Sequence, residues 1–366
     1  MNKKVYFINE WKCWEANYLY NRVKTYIRLN EGIIWENIYD SHFLIINTCN
    51  SSHRITKKNL NIIRRFQQKE IFIIWCWGDG GMNTVLQDIK VHIIPLGKEE
   101  LLDDFFYKNR KINSVNSLDI QRDTLQNDVW TIEISRWSLY DRNYCGIGKI
   151  KQDTTSKPVD EIICEIESAI QAWAKEVVFS SDDLWSYGKD IGIDIFHLFE
   201  ACKKLQGSIK IACNYIDPKF ALTYRKQIIS LFTDLQCISS ILLPTYYNNH
   251  ELVRLNMWYT VEEILSVIRE IKPLWIYTHN HLTVFYPWET FEDFKTNIID
   301  SELYDCITFN PYYHKSWENN YSNNFFNDTE NNMKKLKFIL YLVKKYPRRF
   351  NVEERIDRLI SSPTIT

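Results

Sequence analysis

Short apolar runs rich in β-branched and aromatic residues alternate with longer amphipathic segments along most of this 366-residue chain. An alternating β-α-β-α order confines the fold to parallel sheets with right-handed helical crossovers. "KVYFIN" (4–9), "FLIINT" (43–48) and "IFIIWCWG" (71–78) read as strands, with "EANYLYNRVKTYIRLN" (15–30) and "SHRITKKNLNIIRRFQQ" (52–68) as the helices between them. Residues 101–128 are polar and less regular, which predicts a linker after a first domain of 1–100. The alternation resumes at 129. Strands are expected at 129–134, 176–181, 208–214, 237–244, 274–287 and 304–313, with helices at 158–173, 194–205, 218–232, 260–271 and 289–300. Such a series predicts a barrel or partial barrel over 129–315, with its ligand face at the strand C-termini. Residues 316–366 begin with an Asn-rich polar loop and continue into helices expected at 334–345 and 346–362.

Composition excludes some partners and compartments. The 45 basic residues balance 46 acidic ones, for a net charge of −1. That balance supplies no global attraction to nucleic acid or to an anionic membrane, and argues against binding a whole tRNA. No run of apolar residues is long enough to span a bilayer, and the N-terminal "MNKKVYFINEW" lacks the apolar core of a secretory signal. Nine cysteines, an odd number, do not suggest a secreted disulfide framework. The expectation is a cytoplasmic protein with reduced thiols and no membrane contact.

Three of those cysteines stand at equivalent places. Cys13, Cys49 and Cys76 each follow one of the first three expected strands, at the end where a parallel sheet presents ligands. Three thiolates on one edge suit an iron–sulfur cluster with an open fourth position, or zinc. Three small buried hydrophobes are the plain alternative.

The surrounding words resemble the methylthiotransferases, radical S-adenosylmethionine (SAM) enzymes that modify tRNA or a ribosomal protein. "INTC" (46–49) is similar to that family's N-terminal signature, "IIWCWG" (73–78) to its strand ending in Gly-Cys, and Cys13 stands at its first cysteine. Further matches are "SKPVDEIICEI" (156–166), "VVFSSDDLWSYGKD" (177–190), "PTYYNNHELVRLNMWYTVEEI" (244–264) and "VFYPWETFEDF" (284–294), the last at a Gly-Phe-Pro-Gly-Glu-Thr turn. The resemblance implies that Cys13, Cys49 and Cys76 hold one auxiliary [4Fe–4S] cluster. It also implies a flavodoxin-like α/β N-terminal domain followed by a radical-SAM-like (β/α) partial barrel.

The same alignment exposes losses. It puts the Cys-x3-Cys-x2-Cys of the SAM-cleaving cluster on Ser138, Arg142 and Cys145, where one cysteine remains. A guanidinium has no lone pair to offer a metal, and a serine ligates only as an alkoxide. Cys164, Cys213 and Cys237 read as core thiols rather than replacements. The Gln-Ser-Gly-Ser turn has become Tyr246-Tyr247-Asn248-Asn249, and the family arginine Trp258. Phe285 and Trp288 replace glycines that let backbone approach a ligand, and would fill the SAM space. Pro287, Glu289 and Thr290 persist, the last two reading as helix capping. No counterpart of the family's C-terminal RNA-binding barrel is expected past 314.

Three further features invite weighing. His279 and His281 share one face of a strand and suit a metal, although a surface or half-buried polar role is the ordinary reading of such a pair. Asp182 and Asp183 follow a strand, where they contact a ligand or begin a helix. "KKYPRR" (344–349) reads as a solvated helix end. Two functions follow: sulfur transfer on the auxiliary cluster without ordinary SAM cleavage, or a non-catalytic partner or scaffold subunit. An active radical SAM methylthiotransferase is the third. The expected substrate is a small molecule, protein or peptide.

Overall fold

The computed structural model describes residues 3–9, 14–48, 53–75, 86, 89–95, 97–124, 128–136, 154–181, 183–214, 216–235, 237–243, 249–254, 257, 259–285, 289–300, 303–311 and 329–352. It divides into two compact units, Met1–Asn127 and Asp128–Thr366.

In the first unit, strands β1 (Lys4–Asn9), β2 (Ile33–Ile34), β3 (Phe43–Thr48), β4 (Glu70–Trp75) and β5 (Val91–Pro95) form one sheet in the order β2-β1-β3-β4-β5. Every pairing is parallel. This is the flavodoxin-like strand order, with its switch point between β1 and β3. The strands are apolar on both faces because helices cover both. Ile45 and Phe72 pack with Leu19, Val23 and Ile27 of the helix Trp14–Leu29. Leu44, Ile46, Ile71 and Ile73 pack on the other side with Ile63 and Phe66.

Residues 101–124, expected as a linker, are instead part of this unit. Leu102, Phe106, Ile112, Val115 and Ile120 are buried in the same cluster as the helix Trp14–Leu29. Their apolar side chains are spread among charged ones, so the segment reads as polar although its buried face is not. Asn30 fastens it further: its Oδ1 accepts the backbone N–H of Lys108 and of Asn109, both at 2.7 Å, and its Nδ2 donates to the Arg110 carbonyl.

The second unit contains β6 (Val129–Glu133), β9 (Glu176–Ser180), β10 (Lys210–Cys213), β11 (Ile238–Leu242), β12 (Tyr277–Val284), β13 (Cys306–Pro311) and β14 (Phe350–Val352). They form a parallel seven-stranded sheet in the order β14-β13-β12-β11-β10-β9-β6. Neighbours in sequence are neighbours in space, as in a (β/α) partial barrel. A separate antiparallel pair joins β7 (Ser135–Arg136) to β8 (Thr155–Ser156).

The C-terminus departs from expectation. Residues 350–352 are a strand, not helix, and β14 extends the sheet beyond the expected limit at 315. The helix Thr329–Lys345 precedes it and carries a lysine on its inward face. Lys335 is fully buried and donates to Glu289 Oε2 at 3.0 Å and to the Glu289 carbonyl at 2.6 Å. Asn331 Nδ2 donates to the same carbonyl at 2.8 Å. Capping at this turn belongs to Thr290, whose hydroxyl accepts the Asp293 N–H at 3.1 Å. Glu289, expected to cap, anchors the helix Thr329–Lys345 instead.

Cys164 is exposed, contrary to its expected place in the core. The helix Val159–Gln171 turns Ile162, Glu165, Ile166 and Ala169 inward, and Cys164 falls on the opposite side. Cys202, Cys213, Cys237 and Cys306 are buried. Trp173 and Trp275 stand in left-handed conformation at the ends of helical segments and are 87% and 95% exposed. No helix among the described residues is long and apolar enough to cross a membrane.

Removing one member of a buried ion pair costs about 3–5 kcal/mol, whereas replacing both by apolar groups is close to neutral. Lys335→Met should therefore lower the urea midpoint strongly, and Lys335→Met with Glu289→Leu should restore most of it.

Candidate functional site

Because both sheets are parallel, the C-terminal ends of their strands lie along a single edge in each. In the first unit β1, β3 and β4 are adjacent and end at Asn9, Thr48 and Trp75. Asn47 Nδ2 donates to Asn9 Oδ1 at 3.2 Å, tying the ends of β1 and β3 across the switch point. In the sequence Cys49 and Cys76 directly follow β3 and β4, and Cys13 follows β1 after a short interval. The three cysteines themselves lie outside the described residues.

In the second unit the corresponding edge carries a clamp. Strand β6 leaves the sheet at Glu133, and β7 and β8 then pair Ser135 with Ser156 and Arg136 with Thr155. This two-residue ladder closes the stem of the segment 137–154, which contains Ser138, Arg142 and Cys145. Those three also lie outside the described residues, as do Asp182, Tyr246, Tyr247, Asn248, Trp258, Pro287 and Trp288. The clamp is completed from the turn after β9. The Tyr187 hydroxyl donates to the Lys157 carbonyl at 2.9 Å, Gly188 N to Ser156 Oγ at 2.8 Å, and Ser156 N to Asp190 Oδ2 at 2.8 Å. Gly188 is required here: its φ is +81°, and a Cβ would stand 2.7 Å from Ile193 Cγ1. Tyr187, Gly188 and Asp190 of the "VVFSSDDLWSYGKD" stretch thus hold the stem of the segment 137–154.

Asp183 is fully buried and caps the turn Leu184–Ser186, accepting from Trp185 N at 3.0 Å and Ser186 Oγ at 2.9 Å. Its geometry is that of a cap. Around the same edge, the hydroxyls of Ser135, Thr154 and Ser180 are buried without hydrogen-bond partners among the described residues. Each carries a desolvation cost that a bound polar group would relieve. The sequence offers no periodic signal for these three; their burial comes from the tertiary closure of the stem.

The two faces of the barrel sheet differ. Phe179 of β9 packs on Phe199, and Phe309 of β13 on Phe294, both from covering helices. Parallel register carries that apolar face across the sheet. The inner face then holds Thr131, Ser180, Ser240, His279, His281 and Thr308 together with Val178, Ala212, Leu242 and Cys306. A closed barrel interior is packed with bulky branched side chains; this one mixes hydroxyls and imidazoles with apolar side chains. The rings of His279 and His281 are perpendicular with centroids 4.8 Å apart, and His279 Nε2 is 2.8 Å from Thr308 Oγ1. Burial lowers the pKa of His279 to about 4, and burial with the neighbouring ring lowers that of His281 to about 3. Both rings are neutral hydrogen-bonding groups at neutral pH. Among the described residues no third His, Cys, Asp or Glu joins them in a metal-binding group. Burial pushes the Cys202 thiol up to about 12 and that of Cys213 higher still, so both remain protonated core groups.

Folded His279 and His281 bind protons less readily than in the unfolded chain, where the usual value is about 6.5. Their stabilising contribution is complete above that pH and is lost as pH falls toward 4 and 3. Between about pH 7 and pH 4.5 the wild-type urea midpoint should fall, and His281→Gln should remove on the order of 1–2 kcal/mol of that loss.

No family profile matches the chain. A probable threonylcarbamoyladenosine tRNA methylthiotransferase of Pyrococcus horikoshii is 20% identical over 280 residues, covering 72% of this chain and 66% of that protein. The ribosomal protein uS12 methylthiotransferase of Chlamydia abortus is 26% identical over 164 residues, covering 42% of this chain and 34% of the relative. The chain thus spans from about a third to about two thirds of these relatives. Among solved structures, the radical S-adenosylmethionine methyltransferase TsrM of Kitasatospora setae, with cobalamin and a [4Fe-4S] cluster bound, superposes with a TM-score of 0.53 at 12% identity. That match covers 85% of this chain and 75% of TsrM.

Proposed function

We propose, from the premise that this chain is a divergent methylthiotransferase-like member of the radical SAM proteins, that it transfers sulfur using an auxiliary [4Fe–4S] cluster and does not carry out ordinary SAM cleavage. The observation that carries this reading is a contrast between two strand edges. Past β1, β3 and β4, three neighbouring parallel strands, the chain has kept Cys13, Cys49 and Cys76. Past β6, on a stem whose clamp is intact, it has Ser138 and Arg142 in two of the three positions where the resemblance expects cysteine.

The donor chemistry fits. Three thiolates from adjacent βα turns are the soft ligands such a cluster takes. A cluster held by three thiolates supplies an iron with an open position for sulfur or for a substrate heteroatom. The remaining work falls to the protein. The Asn9–Asn47 hydrogen bond holds the ends of β1 and β3 together. Within the second unit, the hydroxyls of Ser135, Thr154 and Ser180 offer hydrogen bonds to a bound polar group. His279 and His281, neutral at working pH, line the inner face as donors or acceptors without adding charge. The substrate is proposed as a small molecule, protein or peptide, since a net charge of −1 gives no general attraction to a whole tRNA. The relatives' names refer to tRNA and to a ribosomal protein.

A second reading, a non-catalytic partner subunit, draws on Trp173 and Trp275. Large exposed aromatic side chains are costly in isolation and common at protein contacts.

Anaerobic reconstitution separates the two. Sulfur transfer predicts about four iron and four sulfide per chain, lost in Cys49→Ala with unchanged circular dichroism. A wild-type preparation that stays colourless removes the proposal and leaves the partner reading.

A further inference from the structure

Arg22 is a buried cation with no ion-pair partner among the described residues. It lies on the helix Trp14–Leu29 and is 7% exposed. Its single hydrogen bond runs from Nη2 to the Ile112 carbonyl at 3.3 Å, and its Nε and Nη1 are buried without a partner. Two acidic side chains of the segment packed on this helix have partners of their own. Asp119 pairs with Arg110 at 2.9 Å, and Asp103 Oδ1 accepts the Ile112 N–H at 3.0 Å. The contrast with Lys335 is direct: there the fold supplies a buried carboxylate, and here it supplies none.

A guanidinium does not shed its proton to escape burial. Leaving it desolvated and unpaired costs several kcal/mol, so buried charges are ordinarily paired or bound. One turn before Arg22 the Tyr18 hydroxyl lies 3.3 Å from Ser117 Oγ, and both are buried beside the same segment. Two orphaned N–H donors on a fixed cation, one turn along the same helix from a buried hydroxyl pair, match the oxygens of a carboxylate or phosphate. They match neither a cation nor an apolar group.

We propose that Arg22 is the charged centre of a binding site for a small oxoanion, carboxylate or phosphate, between the helix Trp14–Leu29 and residues 112–117. Arg22 lies eight residues into that helix, about 12 Å along its axis from the end that follows β1. The site is therefore separate from the strand edge that precedes the cysteines, and it does not rest on the cluster reading.

The test is thermal unfolding of the full chain with inorganic phosphate or acetate added at constant ionic strength. A ligand that binds only the folded state raises the melting temperature in proportion to the logarithm of its concentration above Kd. One of the two anions should raise the wild-type melting temperature in this way, and the stronger one identifies the ligand group. Arg22→Met should be flat to both and, without anion, should melt above the wild type because the lone charge is gone. Arg22→Lys, which keeps the charge but not the fork, covers a failure of Arg22→Met to fold; it should need at least about tenfold more anion for the same shift. A wild type indifferent to both anions overturns the proposal. So does an equal response in the variants, which would mark a general salt effect.

Discussion

Strand direction is the constraint on which everything else depends. A parallel sheet sends every strand C-terminus to one edge, and successive βα turns therefore open on the same side. In the first unit this makes neighbours of the chain segments that follow β1, β3 and β4. In the second it places the exit of β6 beside the end of β9, where Tyr187, Gly188 and Asp190 reach back to the stem. An antiparallel arrangement of the same strands would scatter these turns over two edges.

The second unit is fastened at two places. Tyr187, Gly188 and Asp190 hydrogen-bond the stem of the segment 137–154, which contains Ser138, Arg142 and Cys145. Glu289 is buried against Lys335 and fixes the helix Thr329–Lys345 to the turn after β12. The inner face of the partial barrel mixes hydroxyls and two neutral imidazoles with apolar side chains such as Val178 and Leu242.

Much of the fold was legible in the sequence because buried parallel strands are apolar on both faces and their helices are amphipathic. β1, β3, β4, β6 and β9–β13 all stand out for that reason. What escaped was set by tertiary context. β2, β7, β8 and β14 are too short to show a period, and β5 (Val91–Pro95), a five-residue run interrupted by His92, is not among the expected strands. Residues 101–124 hide a buried face among charges. Lys335 sits one residue before Leu336 in a helix whose Ile339 and Leu342 also face inward, so its spacing marked a buried position, but not the partner. The same limit applies to Arg22: helical spacing puts it in line with Tyr18, yet only the packing of residues 112–117 reveals that its charge is uncompensated.

The central claim is that iron–sulfur chemistry resides on Cys13, Cys49 and Cys76 and not on the segment containing Ser138, Arg142 and Cys145. Electron paramagnetic resonance of the reduced, reconstituted protein tests it most directly. The account predicts one cluster signal that persists in Cys145→Ala and disappears in Cys13→Ala. A signal that disappears in Cys145→Ala and survives in Cys13→Ala would contradict it.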